Sequence, residues 1–222
     1  MKQRFHDRRE AGRQLAAQLG PWRGRRAVVL GLPRGGVEVA FEVARALELP
    51  LDVIIVRKLG VPQHSELAMG AIGEDDVLVR DEGVLATWPI SAEDFNGVEI
   101  RERLELERRT HSYRGDRAPL QLTNAEAVIV DDGVATGSTA RAACLVARAR
   151  GARDVTLATP VMAAQSADQF NGICDHVVAL EVPRDLGAVG RWYAEFSATS
   201  DETVRELLRL ARERQDEGGN WM

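Results

Sequence analysis

Apolar positions recur along this chain in two alternating rhythms. In residues 7–19, Ala11, Leu15, Ala16 and Leu19 fall at helical spacing, and Gly20 and Pro21 close that helix. Residues 27–30 form a short apolar run of the strand type. It leads into Gly31-Leu32-Pro33-Arg34-Gly35-Gly36, after which a helix is predicted over about 37–47. Residues 51–56 are the next strand, and their Val/Ile content marks burial on both faces, as in a parallel sheet. Residues 57–67 read as a polar loop, with Gly60, Pro62 and Gln63 as breakers, and 68–79 as short extended pieces. A charged helix is predicted over 91–111. It opens on Ser91 with Asp94 three residues on, a capping-box start with Asp in place of Glu. Strands at 127–130, 155–158 and 177–180 then alternate with helices at 138–150, 163–170 and 201–214, and residues 215–222 are expected to fray. Strands alternating with helices predict an α/β fold with a doubly wound, mostly parallel sheet.

The length, 222 residues, and a 45% hydrophobic content suit one domain over 1–222 with its own core. A net charge of −5 argues against a broad nucleic-acid face, which needs a basic surface. No apolar run approaches the roughly 20 residues of a membrane span. The first residues are too polar for a signal peptide. Cys144 and Cys174 have no metal-type spacing and fit a reducing compartment, so a cytoplasmic location is expected. Arg108, Arg109 and Arg114 read as a solvated helix face in preference to a second anion site.

The chemistry concentrates in residues 127–139, AVIVDDGVATGST. An apolar strand ends in two acids, a turn rich in Gly, Thr and Ser follows, and a helix begins. Ligands of open α/β sheets bind at the carboxyl ends of strands. Free N–H groups at a helix start attract anions. Gly137 allows close backbone approach, and Thr136, Ser138 and Thr139 add hydroxyls. Asp131 and Asp132 can accept hydrogen bonds from vicinal hydroxyls or help to hold a hydrated cation. Acids for a sugar beside amides for a phosphate describe a sugar-phosphate site. A Walker A loop is excluded because no lysine follows Gly137, and the GxGxxG fingerprint is absent at Gly31 and at Gly133.

The run VIVDDGVATGST resembles the signature of type I phosphoribosyltransferases, which bind phosphoribosyl pyrophosphate (PRPP). The resemblance implies that Asp131 and Asp132 hold the ribose hydroxyls, and through ribose or water a Mg²⁺ ion. It implies that Ala135, Thr136, Gly137, Ser138 and Thr139 cradle the 5′-phosphate. Many 6-oxopurine members carry an aspartate at the position of Ala135, proposed as a base on the purine, which disfavours hypoxanthine or guanine here. Arg34, Gly35 and Gly36 are similar to the family's pyrophosphate loop. Arg57 and Lys58 resemble the opening of its mobile catalytic loop, which continues to His64 and Glu66, so Arg57, Lys58 and Glu66 are the expected catalytic residues. Residues 175–193 resemble the hood that holds the base, with Val177, Trp192 and Tyr193 as candidate contacts.

The whole chain also looks like a subgroup of predicted phosphoribosyltransferases that share the Arg4-Phe5-x-Asp7-Arg8 start and a charged insert around 102–114. This implies an N-terminal helix over about 1–24 and a small hood drawing on about 175–200. The implied activity is transfer of a phosphoribosyl group to a nitrogenous base or other nucleophile, with Mg²⁺ as cofactor. The implied partners are PRPP and a small-molecule acceptor, with no nucleic acid or membrane; a homodimer stays open. The alternative is a non-catalytic PRPP- or nucleotide-binding module; a PRPP synthase relative is disfavoured because no second, related domain is visible.

Overall fold

The computed structural model describes residues 4–218, the side chains of Glu66 and Glu217 excepted. Asp7 caps helix α1 (Arg8–Gln18) by accepting the Glu10 N–H at 2.7 Å. Strand β1 (Ala27–Gly31) follows, then α2 (Gly35–Leu47) and β2 (Leu51–Val53). The chain then builds β3 (Val56–Val61), β4 (His64–Gly73), β5 (Leu78–Arg80), a short helix α3 (Glu82–Thr87) and the long α4 (Ala92–Arg114). It returns through β6 (Glu126–Val130), α5 (Ser138–Ala149), β7 (Asp154–Val161), β8 (His176–Glu181) and α6 (Asp201–Gly218).

The main sheet is fully parallel with the order β2-β1-β6-β7-β8. Successive side chains of a strand point to opposite faces. Val29, Val128 and Val130 therefore join one core with Leu15, Val39 and Leu207, while Leu30, Ile129 and Leu157 join another with Ala143 and Val146. Both faces are covered, as an all-parallel sheet requires. Each such aliphatic side chain contributes about 1.5–3 kcal/mol on full burial.

The segment 51–56 is not one strand. β2 ends at Val53, the buried Ile54 and Ile55 cross between sheets, and β3 begins a second, antiparallel sheet of order β3-β4-β5. Residues 57–67, expected as a loop, form its hairpin, with Arg57 opposite Ile72 and Lys58 opposite Ala71. Pro62 followed by Gln63 at φ 65° is the pattern of a type II turn, so the breakers mark the bend and not a whole loop. Leu59, Val61, Met69 and Ile72 supply the buried side chains that the charged neighbours masked.

Ser91 is the N-cap read from the sequence: it accepts the Asp94 N–H at 3.0 Å, and its hydroxyl donates to the Asp94 carboxylate at 2.6 Å. The segment 163–170 is two 3₁₀ turns instead of a helix, held by Ser166 and Gln169 bonding outside the segment. Helix α6 runs on to Gly218, past the expected start of fraying at Gln215; residues 219–222 lie outside the described residues. α3 was not anticipated, being too short to show a period; Asp81 caps it through the Val84 N–H. Arg114 does not lie on a solvated face: it is buried, ion-paired with Asp52 and Glu74, and donates to the Val53 carbonyl.

Candidate functional site

β1 and β6 are neighbours, and the chain leaves them in opposite directions across the sheet, towards β2 and towards β7. Such a switch point opens a crevice at the strand ends. Two helix N-termini meet there, α2 after β1 and α5 after β6, and neither has a side-chain cap. Their first-turn N–H groups have no intrahelical acceptor and carry the positive end of the helix dipole. The Pro33–Arg34 peptide is cis, and Arg34 stands at the N-cap of α2 with its guanidinium half exposed, 4.0 Å from Asp201. A Cβ on Gly36 would lie 2.7 Å from the Val130 carbonyl oxygen and 3.0 Å from the Asp131 Cα. Only glycine lets α2 start this close to the end of β6.

Asp131 and Asp132 extend β6 into the crevice. The Asp131 carboxylate accepts the Asp132 N–H at 2.9 Å. Burial, and then the neighbouring Asp132 carboxylate, push the Asp131 pKa well above the ordinary range. Asp132 is gripped from both sides: Arg8 Nε donates to its Oδ2 at 2.7 Å, and the Tyr193 hydroxyl donates to its backbone carbonyl at 2.6 Å.

The turn over 135–139 is braced from behind. Ser166 Oγ donates to the Ala135 carbonyl at 2.5 Å, and Gln169 Nε2 donates to the Thr136 carbonyl at 2.8 Å. Gly137, at φ 77°, makes the left-handed bend that starts α5. Thr136 and Thr139 are exposed and Ser138 half-buried, with Thr136 Oγ1 and Ser138 Oγ 3.4 Å apart.

Beside Pro33 lies a cleft of about 590 Å³ that Arg57, Lys58, Arg101, Arg109 and Thr139 help to line. The sequence-predicted Arg57 and Lys58 thus share one space with the end of the phosphate-type turn. Arg57 ion-pairs with Glu102 of α4 at 2.6 Å. Arg109 binds Glu105 at 2.7 Å; together with Arg108 it holds the Glu105 carboxyl down at about 2. His64 packs against Trp88, ring centroids 4.8 Å apart. Of Glu66 only the backbone, within β4, is described; its carboxylate lies outside the described residues.

Three expected base contacts do not assemble. Val177 is the second residue of β8, at the amino end of the sheet and so remote from the crevice at the carboxyl ends. Tyr193 is buried between Phe5 and Phe196, with no free ring face for a ligand. Trp192 is half-buried against Val161, Ala163 and Leu186, and its Nε1 donates to the Leu186 carbonyl. Sequence reading gave no role to Arg8, Arg101 or Tyr113, although Arg8 belongs to a motif it had noticed. Among the described residues no group of three or more His, Cys, Asp or Glu is placed to hold a metal ion. A cation here would need oxygens supplied by a ligand, with the two aspartates assisting through them or through water, which is the indirect role expected of Asp131 and Asp132.

The profile of the phosphoribosyl transferase domain matches residues 5–183. Two Mycobacterium tuberculosis proteins, from strains CDC 1551 and H37Rv, are each named "Putative phosphoribosyl transferase" and are 50% identical over 215 residues, or 97% of this chain. The chain spans 48% of the length of these relatives. Among solved structures, that of TT1426 from Thermus thermophilus is 42% identical, with a TM-score of 0.86, covering 92% of this chain and 97% of that one.

Proposed function

The chain belongs to the phosphoribosyl transferase domain family, and we propose that it binds PRPP with Mg²⁺ at the β1–β6 switch point and transfers the phosphoribosyl group to a small nucleophile, releasing pyrophosphate. The observation that carries this reading is the acid pair lying between two uncapped helix N-termini on adjacent strand ends. The spacing suits a ligand with anionic groups at both ends and hydroxyls between them.

In this reading the α5 N-terminus with Thr136, Ser138 and Thr139 takes the 5′-phosphate, and Asp131 and Asp132 accept from the ribose hydroxyls. Arg34, the amides of Gly35 and Gly36, Arg57 and Lys58 take the pyrophosphate. Bond breaking at the anomeric carbon builds oxocarbenium-like charge, as in glycoside chemistry. Charge gathers on the departing pyrophosphate, so groups that bind it more tightly as it leaves accelerate the step. Bound Mg²⁺ would supply further neutralisation of those phosphate oxygens. No nucleophilic side chain is required. The β3–β4 hairpin closes over the leaving group and limits loss of PRPP to water. The hood, about 175–200, borders the acceptor through its backbone. Ala135 offers the acceptor no carboxylate, so transfer to hypoxanthine or guanine is expected to be poor; base assistance is typically worth about 10²–10⁴-fold.

A PRPP-dependent pyrophosphate-release screen over nucleobases and small amines tests turnover, and calorimetry with Mg²⁺·PRPP tests binding. The Asp131→Ala/Asp132→Ala double variant should keep its fold and lose that binding; undiminished affinity refutes the assignment. A second reading, a PRPP- or nucleotide-sensing module without turnover, is favoured by one observation: Arg57 is already paired with Glu102. Tight PRPP binding with no pyrophosphate released from any acceptor would select it.

A further inference from the structure

The Arg4-Phe5-x-Asp7-Arg8 segment has a physical role residue by residue. Phe5 is buried against Tyr193, ring centroids 5.4 Å apart, and its backbone bonds residues 192 and 194 of the hood. Arg4 Nε binds Glu181 at the end of β8 at 2.7 Å. Asp7 caps α1, which fixes where the first helical residue points. That residue is Arg8, and its side chain is 8% exposed.

The Arg8 guanidinium meets four groups from three elements. Nε donates to Asp132 Oδ2 at 2.7 Å and Nη1 to the Ser197 carbonyl at 2.7 Å. Nη1 lies 3.8 Å from Glu38 of α2. The plane stacks on the Phe196 ring at 3.9 Å. A planar, permanently charged fork can serve all of these contacts at once, and an ammonium only some of them. Gly35 packs so closely here that a Cβ would sit 2.0 Å from Asp132 Oδ2 and 2.8 Å from Arg8 Nε. The Asp132 carboxylate is therefore held at Oδ2 between Arg8 and the backbone of Gly35.

We propose that Arg8 is a positioning residue for the ribose site: it fixes the Asp132 carboxylate by Oδ2 and ties that orientation to the hood through Ser197. This rests on the reading that Asp132 contacts ribose. The charged and titratable groups facing the pair are Arg8 from α1, Glu38 from α2, and Tyr193 from the hood.

The test is a cycle of four proteins, wild type, Arg8→Gln, Asp132→Asn and the double variant, titrated with Mg²⁺·PRPP by calorimetry at neutral pH. Arg8→Gln is expected to weaken binding about 10- to 100-fold, the range for groups that orient a ligating side chain. In the Asp132→Asn background the same change should have almost no further effect, since residues acting through one another are not additive. Equal losses in both backgrounds overturn the proposal. If Asp132→Asn alone leaves affinity unchanged, the ribose reading itself fails, and that outcome is distinct. Arg8→Lys covers the case in which Arg8→Gln does not fold: it keeps the charge and should recover part of the affinity. No recovery in a folded Arg8→Lys protein assigns the residue to packing on Phe196 and overturns the electrostatic role.

Discussion

Gly36→Ala puts the close approach of α2 to β6 to a quantitative test. The added methyl would stand 2.7 Å from the Val130 oxygen, about 0.6 Å inside the ordinary C···O approach of about 3.3 Å. Both of its nearest neighbours are backbone, Val130 O and Asp131 Cα, so no side chain can swing aside. The helix start and the strand end must separate. Overpacking of this kind costs about 1–3 kcal/mol. For a chain of this size each kcal/mol lowers Tm by about 2–4 °C, so a fall of about 2–12 °C is expected. Any Gly→Ala change also removes unfolded-chain freedom, worth about 0.4–1 kcal/mol in the stabilising direction. Gly20→Ala isolates that contribution, because a Cβ at Gly20 meets nothing within 4 Å. Its Tm should equal or slightly exceed that of the wild type. The same displacement moves the Arg34–Gly36 amides relative to Asp131, and a misplacement of about 1 Å can lower a rate about 10²-fold. Differential scanning calorimetry of both variants, with pyrophosphate titrations of each, measures the two effects. A Gly36→Ala protein that melts and binds like Gly20→Ala would refute the reasoning.

Asp131→Asn should stabilise the free protein at neutral pH. Burial and Asp132 raise the Asp131 pKa, so the fold is more stable while that group is protonated, and stability is lost as pH rises from the ordinary aspartate range through the raised value. The variant keeps an acceptor for the Asp132 N–H and cannot ionise; thermal melts should put it above wild type near neutrality and level with it in acid, and a gap independent of pH would contradict this. Cys144 and Cys174 are free thiols with Sγ atoms 2.9 Å apart. Diamide, taking up two electrons and two protons, should join them, with a mass loss of two hydrogens and a stabilisation of about 3–4 kcal/mol for a loop of this length. Persistence of both thiols in the native protein, while the unfolded protein reacts, would count against that proximity.

The parallel sheet was legible because Val28–Leu30 and Val128–Val130 are short apolar runs set between helical periods. The acid pair and the glycine turn were legible because their neighbours in sequence are also their neighbours in space. The hairpin was hidden because Gly60, Pro62 and Gln63 read as breakers, although they only fold one strand onto the next. Tyr193 was misread for a different reason. An aromatic residue near a presumed base site looks like a stacking surface until tertiary packing puts Phe5 and Phe196 against it. Arg8 and Asp132 lie 124 positions apart, and no local pattern reports a pairing at that range.

Ile54 and Ile55 alone separate the last residue of β2 from the first of β3, both are buried, and the Ile54 N–H donates to the Gly31 carbonyl. This junction has no slack. The small sheet behaves mechanically as a lever whose fulcrum is pinned to the end of β1, two residues before the Pro33–Arg34 peptide. Any displacement of the Pro62–Gln63 tip must be taken up by bending of the hairpin or passed to that fulcrum. Reporter groups or insertions at the tip would therefore sense hairpin motion at small cost, whereas an insertion at 54–55 would disconnect the lever from the strand end that seats Arg34.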